Sequence, residues 1–240
     1  MTELANSRAL VTVVIAVKNG ARFVASAIES ALTQTYTHQE LLVVDGHSSD
    51  STAAIIARYP QVRYVLQPGQ GVADAYNHGI AVANGDFLAF LSHDDVWLPE
   101  KLEMQMAYLL NRPLCDYTVS RVKFFLEPGF EISPGFRRNL LESEPVAYIM
   151  ETLVARKSLF AKVGVFDTHL TSGEDVDWFA RAKDMQIEHG VIDRVLVRKR
   201  VHDTNLSLND SSTNKILLSV LRKSISRKRE KTPNGPATVK

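Results

Sequence analysis

The sequence predicts an α/β fold: one domain on a mixed, mostly parallel central sheet flanked by helices. Two observations predict it. Apolar runs rich in β-branched residues alternate with segments of helical period from residue 10 to residue 92. The chain has 240 residues, 45% of them hydrophobic and 23% charged, enough for one sizeable core and short for two.

The elements come in order along the chain. LVTVVIAV (10–17) is a continuous β-branched run, the mark of a strand buried on both faces. ARFVASAIESALTQ (21–34) sets Phe23, Ala27, Ile28, Ala31 and Leu32 on one helical face. QELLVVDG (39–46) is a second buried strand, and SSDSTAAIIARY (48–59) opens with helix caps before turning apolar. VRYVLQ (62–67), GVADAYNHGIAVA (71–83) and DFLAFLS (86–92) predict a strand, a helix and a strand. This β-α-β-α-β-α-β order implies parallel strands, and such sheets bind ligands beyond the carboxyl ends of their strands. Asp45 ends the second strand there, and Asp94 and Asp95 come just after the fourth. Adjacent carboxylates repel, and burial sharpens the repulsion unless a cation or a basic side chain compensates.

The second half is less regular. CDYTVSRVKFFLE (115–127) alternates like a half-exposed strand, and 128–145 is rich in Pro, Gly and charge, as a loop or lid would be. Residues 147–167 predict a strand and a short helix ending at Gly164. A helix is expected over 172–186, a strand over 191–202 and a basic amphipathic helix over 211–231, with a frayed end to residue 240.

Composition excludes several classes. The net charge of +1 supplies no global field for nucleic acid. The single cysteine, Cys115, rules out a disulfide within the chain and argues against a cysteine zinc site. The first ten residues lack a signal-peptide layout, and no apolar run approaches the roughly 18–20 residues that span a bilayer. A cytoplasmic, soluble protein is expected.

Six ordered segments carry a resemblance: VTVVIAVKNGARFVASAIESALTQTY, ELLVVDGHSSDST, GVADAYNHGIAVANGDFLAFLSHDDVWLPEKL, VARKSLFAKVGVFD, GEDVDWFARA and RKRVHDTNLS. Together, over about residues 10–210, they resemble the family 2 glycosyltransferases of GT-A fold. The resemblance implies an inverting transferase that moves a sugar from a nucleotide sugar, UDP-linked, to an acceptor hydroxyl in cell-surface glycan or polysaccharide synthesis. A glycan, lipid-linked or peptide acceptor fits equally. Residues 1–210 would form the transferase domain, with a donor half (8–95) and an acceptor half (96–210), and 211–240 would be an appended tail.

The resemblance also assigns roles. Asp95 would bind a divalent cation, Mn²⁺ or Mg²⁺, and Asp94 would lie near ribose or metal. Such hard cations prefer carboxylate and phosphate oxygens. The family often has a further acid where Ser92 stands here. Asp45 would accept the N3–H of uracil; the alternative is an Asx-turn that ends the strand. Ala16, Val17 and Asn19 resemble the first loop, which holds the base through backbone, although Ala16-Val17-Lys18 stands where Pro-Thr-Tyr is common. Asp74 either touches ribose or pyrophosphate or is a first-turn acid favoured by the helix dipole. Asp175 would be the general base, with Glu174 orienting the acceptor or supporting Asp175; the bland reading is an acid-decorated helix start. Trp178 either stacks on a sugar or belongs to the core. His202 would reach metal or diphosphate, with Arg198 and Arg200 on the same strand face by the period of two.

Two rival readings are open to the sequence: a non-catalytic nucleotide-binding module on the same fold, and a nucleotidyltransferase. The second wants a Gly-rich basic loop after the first strand, where AVKNGARF offers little. In the tail, Lys215, Arg222, Lys223, Arg227, Lys228 and Arg229 interleave with Ile216, Leu217, Leu218, Leu221 and Ile225. Its apolar face either packs on the domain or lies on an anionic membrane that carries a lipid-linked acceptor.

Overall fold

The computed structural model describes residues 9–130, 137–203, 205 and 213–231. One eight-stranded mixed sheet runs through it in the order β3-β2-β1-β4-β7-β6-β8-β5. Strands β1 (Val11–Val17), β2 (Gln39–Asp45), β3 (Val62–Leu66) and β4 (Phe87–Ser92) are mutually parallel, as the alternation demands. Strand β7 (Val154–Arg156) reverses direction between β4 and β6 (Tyr117–Leu126). Strand β8 (His189–Val201) returns parallel to β6, and the two-residue β5 (Val96–Trp97) closes the edge antiparallel to β8. Because β7 inverts the chain once, β1, β2, β4, β6 and β8 all end on one side of the molecule.

Helices cover both faces, so the central strands are buried throughout. Helices α1 (Val24–Leu32) and α4 (Lys101–Leu110) enclose one core with Val13, Ile15, Leu91 and Trp97. Helices α3 (Gly71–Val82), α6 (Ser158–Val163) and α7 (Glu174–Asp184) enclose the other with Val14, Phe90, Tyr117 and Trp178. The remaining helices are α2 (Thr52–Ile56), α5 (Asn139–Glu142) and α8 (Thr213–Lys231), and a 3-10 turn spans Met150–Thr152. Gly164 ends α6 in the left-handed region at φ 88°, where a side chain would be strained. Trp178 is fully buried and donates its indole N–H to Gly164 O at 3.0 Å, which assigns it to the core.

The tail helix departs from the simplest expectation. Among the residues of α8 whose side chains are described, Val220 is buried, while Leu218, Leu221 and Ile225 are exposed at 54, 58 and 50%; Ile216 and Leu217 lie outside them. Polar contacts also anchor α8: Ser224 and Arg227 to Asp184, and Lys223 to Asp167. Among the described residues, no helix is long and apolar enough to cross a membrane.

Candidate active site

The carboxyl ends of β1, β2, β4 and β8 bring four loops together. The β1 and β2 loops are laced to each other. Asn19, in the left-handed region at φ 51°, accepts the Ser49 N–H on Oδ1, and its own N–H donates to Ser48 Oγ. Asp50 accepts the Ala21 N–H, and Thr52 Oγ1 accepts the Gly20 N–H. Ala16 and Val17 are buried at the end of β1, with Val17 O accepting the Gly46 N–H at 2.8 Å. Asp45 makes the Asx-turn: Oδ1 accepts the Ser48 N–H and Oγ at 2.8 and 2.7 Å, and Oδ2 accepts the Tyr64 hydroxyl at 2.8 Å. Asp74 caps the loop before α3 by accepting the Gly69 N–H at 2.9 Å. His93 fills the space beside Gly20, where a β-carbon would come within 2.6 Å of its ring.

The Asp94-Asp95 pair is split. Asp94 faces the loop after β8: its Oδ2 stands 3.0 Å from His202 Nε2 and accepts Asn205 Nδ2 at 3.2 Å. The His202 ring packs on Phe23 at 4.7 Å between centroids. Asp95 turns inward and is fully buried. Its Oδ2 accepts Lys199 Nζ at 2.7 Å and its Oδ1 accepts the Arg200 N–H at 2.8 Å. Asp95, expected as a metal ligand, is held in an internal ion pair with that ammonium.

Lys199 also donates to Glu151 Oε1 at 3.1 Å, and the Ser92 hydroxyl donates to the same oxygen. The second contact occupies the place where a further acid was expected. Burial alone would lower the Lys199 ammonium, but the carboxylates of Asp95, Glu151 and Asp94 hold it well above its ordinary value. Burial raises Asp95, and Lys199 opposes that; with the ammonium held charged at 2.7 Å, the pair is ionised. Burial also opposes ionisation of Asp94, yet His202 and Lys199 hold its carboxyl well below the usual range.

The alternation of Arg198, Arg200 and His202 breaks at the strand end. Strand β8 stops at Val201, so His202 lies in the turn beyond it. Arg198 and Arg200 do share a face, both over the Phe125 ring at 4.7 and 4.8 Å. Arg198 is exposed there, away from the acids. Arg200 is neutralised by Glu127 and donates Nε–H to Asp94 O at 2.8 Å. The opposite face, that of Lys199, enters the site.

Helix α7 brings the second acid pair. Gly173 at φ 73° turns the chain into the helix, and Glu174, Asp175 and Asp177 occupy its first turn, as the dipole favours. Asp177 is structural: it pairs with Arg181 at 2.8 Å, and Arg181 clasps the carbonyls of Val163 and Val165. Glu174 and Asp175 are half-buried at the start of the helix. Burial, then the charges of Glu174 and Glu151, push Asp175 up to about 7, against the Val176 N–H and Lys199. Burial and Glu151 raise Glu174 too. Glu151 and Lys199 thus act on both acid pairs and join them into one electrostatic unit. Of the expected closing segment 128–145, residues 131–136 lie outside the described residues, and Pro145 O accepts the Val122 N–H along β6.

Sequence reasoning missed Glu151, Lys199, His93 and Asp50. Lys199 stands in RKR, where its alternation with Arg198 and Arg200 was the available signal. Glu151 lies in AYIMETLV, an apolar stretch where a lone acid is the anomaly.

Residues 12–164 match the family described as Glycosyl transferase family 2. An uncharacterized glycosyltransferase of Rickettsia typhi is 33% identical over 83% of this chain and 67% of its own length. The chain belongs to glycosyl transferase family 2. It is an enzyme of the glycosyltransferase class, with relatives named for cell-surface glycan synthesis. The Escherichia coli UDP-Glc:alpha-D-GlcNAc-diphosphoundecaprenol beta-1,3-glucosyltransferase WfgD is 38% identical over 42% of the chain and 41% of its own length. Three further Rickettsia glycosyltransferases are spanned over only 34–36% of their length. S. aureus TarS in complex with UDP has the same fold at TM-score 0.68 and 18% identity, covering 90% of this chain and 64% of that one. The Pyrobaculum calidifontis mannosyltransferase PcManGT, in complex with GDP-Man and Mn²⁺, has TM-score 0.61 at 18% identity, covering 94% of this chain and 65% of that one.

Proposed function

We propose that the chain is an inverting glycosyltransferase that passes a sugar from a UDP-linked donor to a hydroxyl of a lipid-linked glycan acceptor. The carrying observation is the separation of two acid sites linked through Lys199. Asp94 is held ionised beside His202, while Asp175 is raised to about 7 at the start of α7. A general base serves best when its pKa lies near the working pH. Asp175 takes the acceptor proton as that oxygen attacks the anomeric carbon, and Glu174 orients the acceptor. The laced β1 and β2 loops, with Ala16, Val17, Asn19 and Asp45, hold the base, and Asp74 fixes the loop nearest the phosphates. The UDP and lipid-linked choices are supported by the activity for which the E. coli relative is named.

The site suits a divalent cation. Asp95 and Glu151 pair with the ammonium of Lys199, and Asp94 and Asp175 lie within its electrostatic reach, so acids outnumber this cation. Among the described residues no group of three or more His, Cys, Asp or Glu forms a metal cage, so donor phosphates would complete the shell. Asp94 and His202 would hold Mn²⁺ or Mg²⁺, with Arg200 fixing the Asp94 backbone carbonyl from behind. When bound, the cation supplies neutralising charge for the departing diphosphate.

The test is a thermal-shift panel of UDP- and GDP-sugars with Mn²⁺ or with chelator. The expected result is a shift with a UDP-sugar that needs Mn²⁺ and vanishes in Asp94→Ala. Shifts with GDP-sugars alone would overturn the UDP assignment, and no shift with any donor would overturn the donor site.

A further inference from the structure

Helix α8 has two distinct faces. Val220, Ser224 and Arg227 recur at i, i+4 and i+7 and meet the domain, the latter two through Asp184. Leu218, Leu221 and Ile225 recur at i, i+3 and i+7 and stand half bared or more, at 54, 58 and 50% exposure. At 3.6 residues per turn these stripes are centred about 125° apart around the helix, on different faces. Contiguous exposed aliphatic side chains on one stripe mark an interaction surface.

Charge selects the occupant. The 213–231 segment carries seven Lys or Arg and one acid, in a chain whose net charge is only +1. Arg222 is exposed next to Leu221, and Lys223 keeps 44% of its side chain exposed beside its pairing with Asp167. An apolar stripe flanked by concentrated positive charge is complementary to an anionic bilayer, where aliphatic groups enter the acyl boundary and basic groups meet headgroups.

We propose that the outward face of α8 seats the protein on an anionic membrane surface. The proposal gives physical form to the lipid-linked acceptor of the reading above and rests on it for its purpose, though not for its measurement. Helix α8 packs against α7, whose first turn carries Asp175, so a seated α8 brings the base within one helix length of the lipid surface. By the helical rise, Asp175 and Asp184 are about 14 Å apart.

The experiment is co-sedimentation of the full chain with vesicles of phosphatidylglycerol and phosphatidylcholine, against phosphatidylcholine alone. Binding to the anionic vesicles at least tenfold stronger, weakened by added salt and lost in Leu221→Glu/Ile225→Glu, is the expected result. Both substituted positions are exposed, and circular dichroism verifies the fold. Arg222→Glu is expected to weaken binding in part. Equal partition into neutral and anionic vesicles would overturn the proposal, as would no partition into either. So would a dimer in light scattering that the Leu221→Glu/Ile225→Glu variant dissolves, since a second copy then covers the stripe. Donor binding in the thermal-shift panel reads the transferase assignment separately, so the two failures are distinguishable.

Discussion

At the residue scale, the site works by giving similar carboxylates different surroundings. As the proposed base, Asp175 would act deprotonated, so turnover is expected to rise with pH through about 7 and level off above it. Asp175→Asn should lower kcat by about 10²–10⁴-fold while leaving the Mn²⁺-dependent donor shift intact. A loss of donor binding of the same size would sink the base assignment. The stability sign runs the other way. With its folded value raised above the ordinary 3.8, the native state holds a proton that the unfolded state releases between about 4 and 7. Stability from this group is therefore lost as pH rises through that window, and Asp175→Asn should melt higher than the parent at pH 8. Lys199 is the opposite case, one ammonium serving two buried carboxylates. Lys199→Met should cost about 3–5 kcal/mol in urea unfolding, because Asp95 and Glu151 lose their counter-charge. A variant as stable as the parent would show that water reaches both acids. The acid pairs were legible in the sequence because adjacent acids at an element end need a reason. Glu151 and Lys199 were not, since each answers to a partner that only the folded chain supplies.

At the element scale, legibility tracks length and continuity. Strands β1, β2 and β4 are unbroken apolar runs, buried on both sides, and their bounds agree with expectation to within a residue or so. Strands β5 and β7 have two and three residues, too few for a period to register, yet β7 joins the two parallel sets as the antiparallel strand between them. Close approach is another property no periodicity reveals. Gly79 lets α3 settle on β1 so nearly that an added β-carbon would stand 2.4 Å from Val14 Cγ1. Val14 is fully buried and β-branched, so it has no rotamer to retreat into. Gly79→Ala gains about 1 kcal/mol of helix propensity. Overpacking should take back more, for a net loss of about 1–2 kcal/mol. Urea unfolding checks this, and Val14→Ala in the same chain should recover part of the loss. A stabilised Gly79→Ala would mean that α3 shifts freely on the sheet.

At the scale of the whole molecule, the first four strands are plain in the sequence, while the candidate site is completed by the second half of the chain. The family match ends at residue 164, before Glu174 and Asp175 on α7 and before β8, which supplies Lys199 and leads into His202. Strand β8 is registered with β6 from Tyr117↔His189 to Leu126↔Val201 and also carries β5. A chain cut after residue 164 would leave β6 as a long apolar edge, remove Lys199 from Asp95 and Glu151, and uncover Trp97. Each of these is costly, and together they remove one side of both cores. Such a chain is expected to unfold without a cooperative transition and to aggregate. A chain cut after residue 205 keeps every element of the sheet and the His202–Asn205 turn. It loses Val220, Ser224 and Arg227, which meet the domain chiefly through Asp184, so it should melt cooperatively at a somewhat lower temperature and still bind donor. Thermal unfolding monitored by circular dichroism separates the cases. If the shorter chain melted as sharply as the longer one, the donor half would be an independent folding unit and β8 an addition to it. If the longer chain failed to melt cooperatively, the inward contacts of α8 through Val220, Ser224 and Arg227 would be part of what folds the domain.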